Sequence, residues 1–345
     1  MLTIIINKDY GEGMTIHRAA FALFSTSLLV LAGCSAPDQG EASDAPSSDH
    51  SATAAIEGAS VVVTTNILGS VVGDILTCAV GSDASMTVVM PIGADPHDFQ
   101  PSSEQVAAMS NAELVVANGL FLEEGLVAVL ESLETDGVNI LRIAELVDPL
   151  PFAEDHGDEH ADEAADEHGD FDPHFWLDME RMALAAELVG KELASAAGVS
   201  DYDACGASVA TDIRSAEAAV IAALRVIPEE SRVLVTDHDA FGYFADRYDF
   251  RIAGVVIPGG STLSDPSSRE LADLIKVIER ENVPVIFANT ATSPAVVESL
   301  AAEVGRDIQV VPLFEGSLGG PGSGAEDYIS MMTLNASLIA DALTD

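Results

Sequence analysis

The sequence predicts an α/β protein, with two lobes built on mainly parallel sheets and joined by a long helix. Three observations predict it. Short β-branched runs alternate with helix-like segments from residue 60 onward. The same alternation resumes after residue 232. Between the two blocks lies a stretch rich in Ala, Leu, Glu and Val and poor in strand formers. Alternating β and α segments imply βαβ units, in which helices cover a parallel sheet. One large doubly wound domain with a helical insertion fits the same pattern.

The elements follow in order. Val61 to Thr65 reads as a strand and Ile67 to Val80 as a helix. Met86 to Met90 is a second strand, ended by Pro91 and Gly93. Ser103 to Ser110 is helical, and Leu114 to Ala117 is a strand. Met179 to Ala197 and Tyr202 to Leu224 are helices, the second of about twenty residues and near 30 Å long. Arg232 to Thr236, Ile252 to Ile257, Pro284 to Ala288 and Ile308 to Leu313 are strands. Ala240 to Arg247, Arg269 to Glu281 and Glu326 to Leu343 are helices.

The beginning of the chain reads as an address. Arg18 precedes an apolar run, Ala19 to Leu31, followed by Leu31-Ala32-Gly33-Cys34. A positive residue, about a dozen apolar positions and small residues at a cleavage point describe a signal peptide. The run is too short for a membrane-spanning helix, which needs roughly 20 residues. Residues 1–33 are expected to be removed, with Met14 rather than Met1 as the start. Leu-Ala-Gly-Cys resembles the bacterial lipobox, which implies lipidation of Cys34. Residues 34–56, rich in Ser, Ala, Asp and Pro, read as a flexible tether. The expected divisions beyond it are an N-terminal lobe at 57–178, a helical region at 179–228 and a C-terminal lobe at 229–345. Cys78 and Cys205 are the remaining cysteines. In an oxidising compartment a disulfide between them and two separate buried thiols both fit.

Charge excludes one class of partner. Fifty-seven acidic residues face 14 basic ones, for a net charge of −43. Nucleic acid is therefore not an expected partner, because neutralising phosphates needs Lys and Arg. An acidic surface attracts cations. Adaptation to a saline habitat explains the same balance, and the two readings are compatible.

The histidines carry the candidate chemistry. His97 lies in Asp95-Pro96-His97-Asp98, His174 in Asp172-Pro173-His174 and His238 in Asp237-His238-Asp239. His97 and His238 closely follow expected strands, and open α/β sheets bind ligands beyond the carboxyl ends of strands. Neutral imidazole suits zinc, a preceding proline restrains the backbone, and a nearby carboxylate can accept the other ring N–H. Each histidine alone reads equally well as a polar loop residue. A second group differs in kind. Glu154 to Asp170 holds nine carboxylates with His156, His160 and His168, and nothing apolar larger than Ala. Such a tract cannot bury a core, so it is expected to be a disordered loop that binds cations loosely.

Taken together, these motifs resemble the metal-binding lipoproteins of bacterial ABC importers, the zinc and manganese solute-binding family. The resemblance rests on Val63-Thr64-Thr65-Asn66, on Gly93 to Ser102, on Leu114 to Gly119, on Asp172 to Asp178, on Asp237 to Phe244 and on Tyr328 to Met332. It implies two Rossmann-like lobes, a rigid connecting helix and modest hinge motion. It further implies a single metal between the lobes, held by His97, His174 and His238. His at position 238 leans towards zinc, with manganese the alternative. The family's fourth ligand is an acid just before a Ser, but here Gly316 stands there and Glu315 is one residue early. Glu315 is the expected ligand, with Asp327 or a water as alternatives. The implied partners are the divalent ion, the permease and its ATPase, and the membrane through the Cys34 lipid. The protein is expected to be an exported monomer on the outer face of the cytoplasmic membrane or in the periplasm, and not an enzyme. Two readings compete from other classes. A secreted zinc hydrolase would use Glu315 as a base, yet no His-Glu-x-x-His or Gly-x-Ser-x-Gly motif is present. A surface adhesin would use the metal for structure alone.

Overall fold

Short apolar runs in each half become the strands of two four-stranded sheets. The computed structural model describes residues 60–81, 85–152 and 169–344. The signal peptide, the tether, Cys34 and the three histidines at 156, 160 and 168 lie outside the described residues. The first sheet holds β1 (Ser60–Val63), β2 (Ser85–Val88), β3 (Leu114–Ala117) and β4 (Ile140–Arg142), in the order β2-β1-β3-β4. The second holds β5 (Val233–Thr236), β6 (Arg251–Val255), β7 (Val285–Asn289) and β8 (Gln309–Leu313), in the order β6-β5-β7-β8. All pairings in both sheets are parallel. The two sheets therefore share one topology, and the chain is a two-lobed α/β protein. The inner strands β3 and β7 are buried along their whole length, which explains their unbroken apolar sequences.

Period-two alternation sorts the strand residues between cores. Val62, Val115 and Ala117 face an outer core with Leu130 and Leu133 of α3 (Val127–Thr135). Val235, Ile286 and Ala288 face another, with Leu274 and Ile278 of α7 (Ser268–Glu281) and Val297 of α8 (Ala295–Glu303). The opposite faces of both sheets meet in one large core. It takes Val61, Val63, Leu114 and Val116 from the first sheet and Leu234, Val285, Phe287 and Leu313 from the second.

Helices fill that shared core. They are α1 (Asn66–Val80), α4 (Met179–Ala197), α5 (Asp201–Leu224) and α9 (Tyr328–Thr344). The expected long linker is thus one of a pair, because α4 and α5 pack along each other. Their closest approach is at Gly190 and Gly206. A Cβ on Gly190 would lie 2.8 Å from Gly206 Cα and 2.7 Å from Tyr202 O. The disulfide Cys78–Cys205 ties α1 to α5. Although α9 follows the second sheet, it packs against α5 and α1 as well as β8. The two smaller helices, α2 (Ser103–Ser110) and α6 (Gly242–Tyr248), follow the loops that bear His97 and His238. Among the described residues no helix is long and apolar enough to cross a membrane.

Candidate metal centre

Each histidine is presented by a loop whose backbone an adjacent residue pins. Beyond β2, Val89 N–H and Met90 N–H donate to Val63 O and Thr64 O, so the chain stays paired until Pro91 turns it away. Asp95 Oδ1 then accepts the N–H of His97 at 3.0 Å. Asp172 Oδ1 accepts the N–H of His174 at 2.9 Å in the same way. This is the physical content of Asp-Pro-His: the carboxylate two residues back closes a turn, and the proline limits the backbone between. His238 leaves the end of β5, where Thr236 Oγ1 donates to His238 O at 2.8 Å. Glu315 leaves the end of β8, and Trp176 Nε1 donates to its carbonyl at 2.9 Å.

The three rings meet, all buried. His174 Nε2 lies 3.3 Å from His97 Nε2 and 3.4 Å from His238 Nε2. The three can each offer one ring nitrogen within 4.8 Å of the others. Glu315 Oε1 lies 3.5 Å from His238 Nε2 and 4.0 Å from His174 Nε2. It forms a second such group with His238 and Asp237, rather than with His97. Asp327 stands elsewhere. It is exposed at the start of α9, where its carboxylate accepts the N–H of Ser330.

Each ring turns its Nδ1 towards a carboxylate. Asp172 Oδ1 is 2.8 Å from His174 Nδ1, Asp237 Oδ1 is 3.3 Å from His238 Nδ1, and Glu124 Oε1 is 3.5 Å from His97 Nδ1. A carboxylate at Nδ1 holds the proton there and leaves Nε2 as a lone-pair donor. Asp172 and Asp237 sit beside their histidines in sequence, so local spacing announces them. Glu124 is 27 positions from His97 and carried no local signal. Asn66 and Ser317 were also not foreseen as a pair. Asn66 Nδ2 donates to Ser317 Oγ at 3.1 Å, and Leu318 N–H donates to Asn66 Oδ1 at 2.8 Å. These bonds join the start of α1 to the loop that carries Glu315.

Gly316, where the sequence lacks the expected acid, is closely packed. A Cβ there would lie 3.0 Å from Asn289 Nδ2 and 3.3 Å from Pro96 Cδ. Position 316 has little room for a side chain, and Glu315 supplies the carboxylate one residue earlier.

The electrostatics divide the rings into two kinds. Burial lowers the pKa of His97 and takes that of His174 well below the usual imidazole range. Both are neutral donors at pH 7. At His238 burial also pulls downward, but the carboxylates of Glu315 and Asp237 outweigh it and lift the ring to about 10. Burial raises Glu315 to about 8 against the pull of His238. One buried polar atom at the centre, Glu315 Oε2, has no hydrogen-bond partner among the described residues, and His97 Nδ1 has only the 3.5 Å ion-pair contact with Glu124. A cation among the Nε2 atoms would give the Glu315 carboxylate the partner it lacks, since unpaired buried polar atoms are costly.

Residues 61–342 match the family described as zinc-uptake complex component A, periplasmic. The chain belongs to that family. Among its relatives is the manganese-binding lipoprotein MntA of Halalkalibacterium halodurans. It is 27% identical over 318 residues, which cover 92% of this chain and 95% of the relative. The metal ABC transporter substrate-binding lipoprotein FimA of Streptococcus parasanguinis is 25% identical over 290 residues, covering 82% and 89%. The solved periplasmic zinc-binding protein TroA of Treponema pallidum superposes with a TM-score of 0.70 at 27% identity. That match covers 83% of this chain and 99% of TroA.

Proposed function

We propose that the protein captures a divalent metal ion, zinc in the first place, and delivers it to the permease of an ABC importer. The observation that carries this reading is the meeting of three buried imidazole Nε2 atoms from three separate loops, within 3.3–3.4 Å of the central one. His97, His174 and His238 are the proposed nitrogen ligands and Glu315 the oxygen ligand. Three imidazoles and one carboxylate suit tetrahedral zinc, whereas manganese prefers more oxygen donors. Manganese is the rival cargo, because a relative bears that name. The ion is cargo, so the protein binds and releases it without turnover.

The export signal and the family support a place outside the cytoplasm. Lipidation of Cys34, docking on the permease as a monomer and loose cation gathering by His156, His160 and His168 complete the proposal. Native mass spectrometry and calorimetry with zinc and manganese test it. One zinc per chain is expected, bound more tightly than manganese. His97→Ala should weaken zinc by more than the roughly 10–100-fold that loss of a supporting partner costs. Unchanged zinc affinity in that variant would remove His97 from the site and the reading with it.

A further inference from the structure

The loop after β6 touches both halves of the centre. On its own side, Ile257 N–H donates to Asp237 O at 2.7 Å, and Gly259 O accepts from Asp239 N–H at 3.2 Å. The loop is thereby bonded to the backbone on either side of His238. Across the cleft it reaches the carboxylate that holds the His97 N–H and the one that faces its Nδ1. Thr262 Oγ1 donates to Asp95 Oδ2 at 2.6 Å, while Asp95 Oδ1 holds the N–H of His97. Buried Ser261 Oγ donates to Glu124 Oε1, the same oxygen that faces His97 Nδ1. Gly260 packs against Phe152, and a Cβ there would lie 2.1 Å from the end of the ring, which would have to turn aside.

His97 therefore differs from its partners. The carboxylates at the Nδ1 atoms of His174 and His238 belong to their own loops. Both carboxylates serving His97 are instead gripped by adjacent hydroxyls of the opposite lobe. We propose that Ser261 and Thr262 form a clasp that couples lobe closure to the orientation of His97 and so sets the lifetime of the bound ion. With the clasp closed, the Glu124 and Asp95 carboxylates are fixed and His97 Nε2 is aimed at the cation. With it open, each carboxylate loses its hydroxyl partner from the opposite lobe and His97 is the first ligand to loosen. Ser261 and Thr262 are positioning residues on this account, since neither reaches the ion. Binding and closure are reciprocal, so zinc must also favour the closed clasp.

The inference rests on the metal-capture reading, and the test separates the two. Zinc dissociation is followed by stopped flow with a chelator in the wild type, Ser261→Ala, Thr262→Val, Glu124→Gln, and Ser261→Ala combined with Glu124→Gln. Ser261→Ala and Thr262→Val should each speed dissociation roughly tenfold, within the range for partners of metal-ligating histidines, and leave association nearly unchanged. Ser261→Ala and Glu124→Gln together should cost clearly less than the product of their separate effects, because they act through one bond. Thr262→Ser should restore the wild-type rate. Zinc should also slow hydrogen exchange in residues 257–263 of the wild type, a readout that needs no variant. Wild-type release rates in the alanine and valine variants, or multiplicative effects in the double variant, would overturn the clasp and leave metal capture standing. Failure of the wild type to bind zinc would overturn the capture reading itself.

Discussion

At the residue scale, the site is a contest for protons. His97 and His174 are held neutral by burial and need lose nothing to bind a cation. The His238–Glu315 pair is different, because His238 is lifted to about 10 and Glu315 to about 8. Between pH 6 and 8 this pair holds at least one proton that a metal must expel. A raised pKa means the proton is bound throughout that window, so lowering the pH strengthens the competitor and weakens the metal. Zinc affinity should fall about tenfold per pH unit for each proton released. Calorimetry in buffers of different ionisation heat should count that proton directly, and an affinity flat from pH 6 to 8 would contradict the charge state argued for His238. His97 and His174 were legible in the sequence because Asp-Pro-His is a local construction, and His238 because aspartates flank it just after an expected strand. The supporting Glu124 was not, since its pairing with His97 exists only once the chain between them is folded. Glu315 was legible as an acid out of place, but its burial beside His238 and His174 shows only in the fold.

At the element scale, runs with a strong period were readable and short half-exposed ones were not. The central strands and the two long helices fall within a residue or two of their expected bounds, because burial on both faces or a sustained apolar stripe marks them. By contrast β4, of three half-buried residues, and α3, which buries only Leu130 and Leu133, leave almost no pattern. The pairing of α4 with α5 was equally hidden, since glycine at 190 and 206 is a contact signal only when the two face each other. That contact makes a sharp prediction. Gly190→Ala places its Cβ against two backbone atoms that cannot turn aside. It should destabilise by about 1–3 kcal/mol, as overpacking does. Gly73→Ala in α1 is the control, because its Cβ would meet only the flexible end of Met86 at 3.4 Å. That change should be neutral or stabilising by up to about 1 kcal/mol. Urea denaturation of both variants checks the pair, and equal midpoints would refute close packing at the helix crossing.

At the scale of the whole molecule, the question is whether two lobes act as two bodies. Similar sheets at either end suggest independent units, yet the largest core draws strand residues from both sheets and from α1, α4, α5 and α9. The disulfide between α1 and α5 fastens the same layer. Parting the lobes widely would expose that core, so lobe closure on metal exchange should be a small movement at the cleft. Cooperativity follows from the same fact. An ion bound between lobes that share a core stabilises both at once, whereas separate lobes would unfold in two steps. Scanning calorimetry of the metal-free protein should therefore show one transition. With zinc at 1,000 times its dissociation constant, the native state gains about 4.1 kcal/mol. At roughly 1.5 °C per kcal/mol for a chain of about 300 residues, the single transition should move up by about 6 °C. Two transitions, with zinc raising only one, would mean that the shared core does not couple the lobes. A single transition that zinc leaves in place would instead count against metal binding in the cleft.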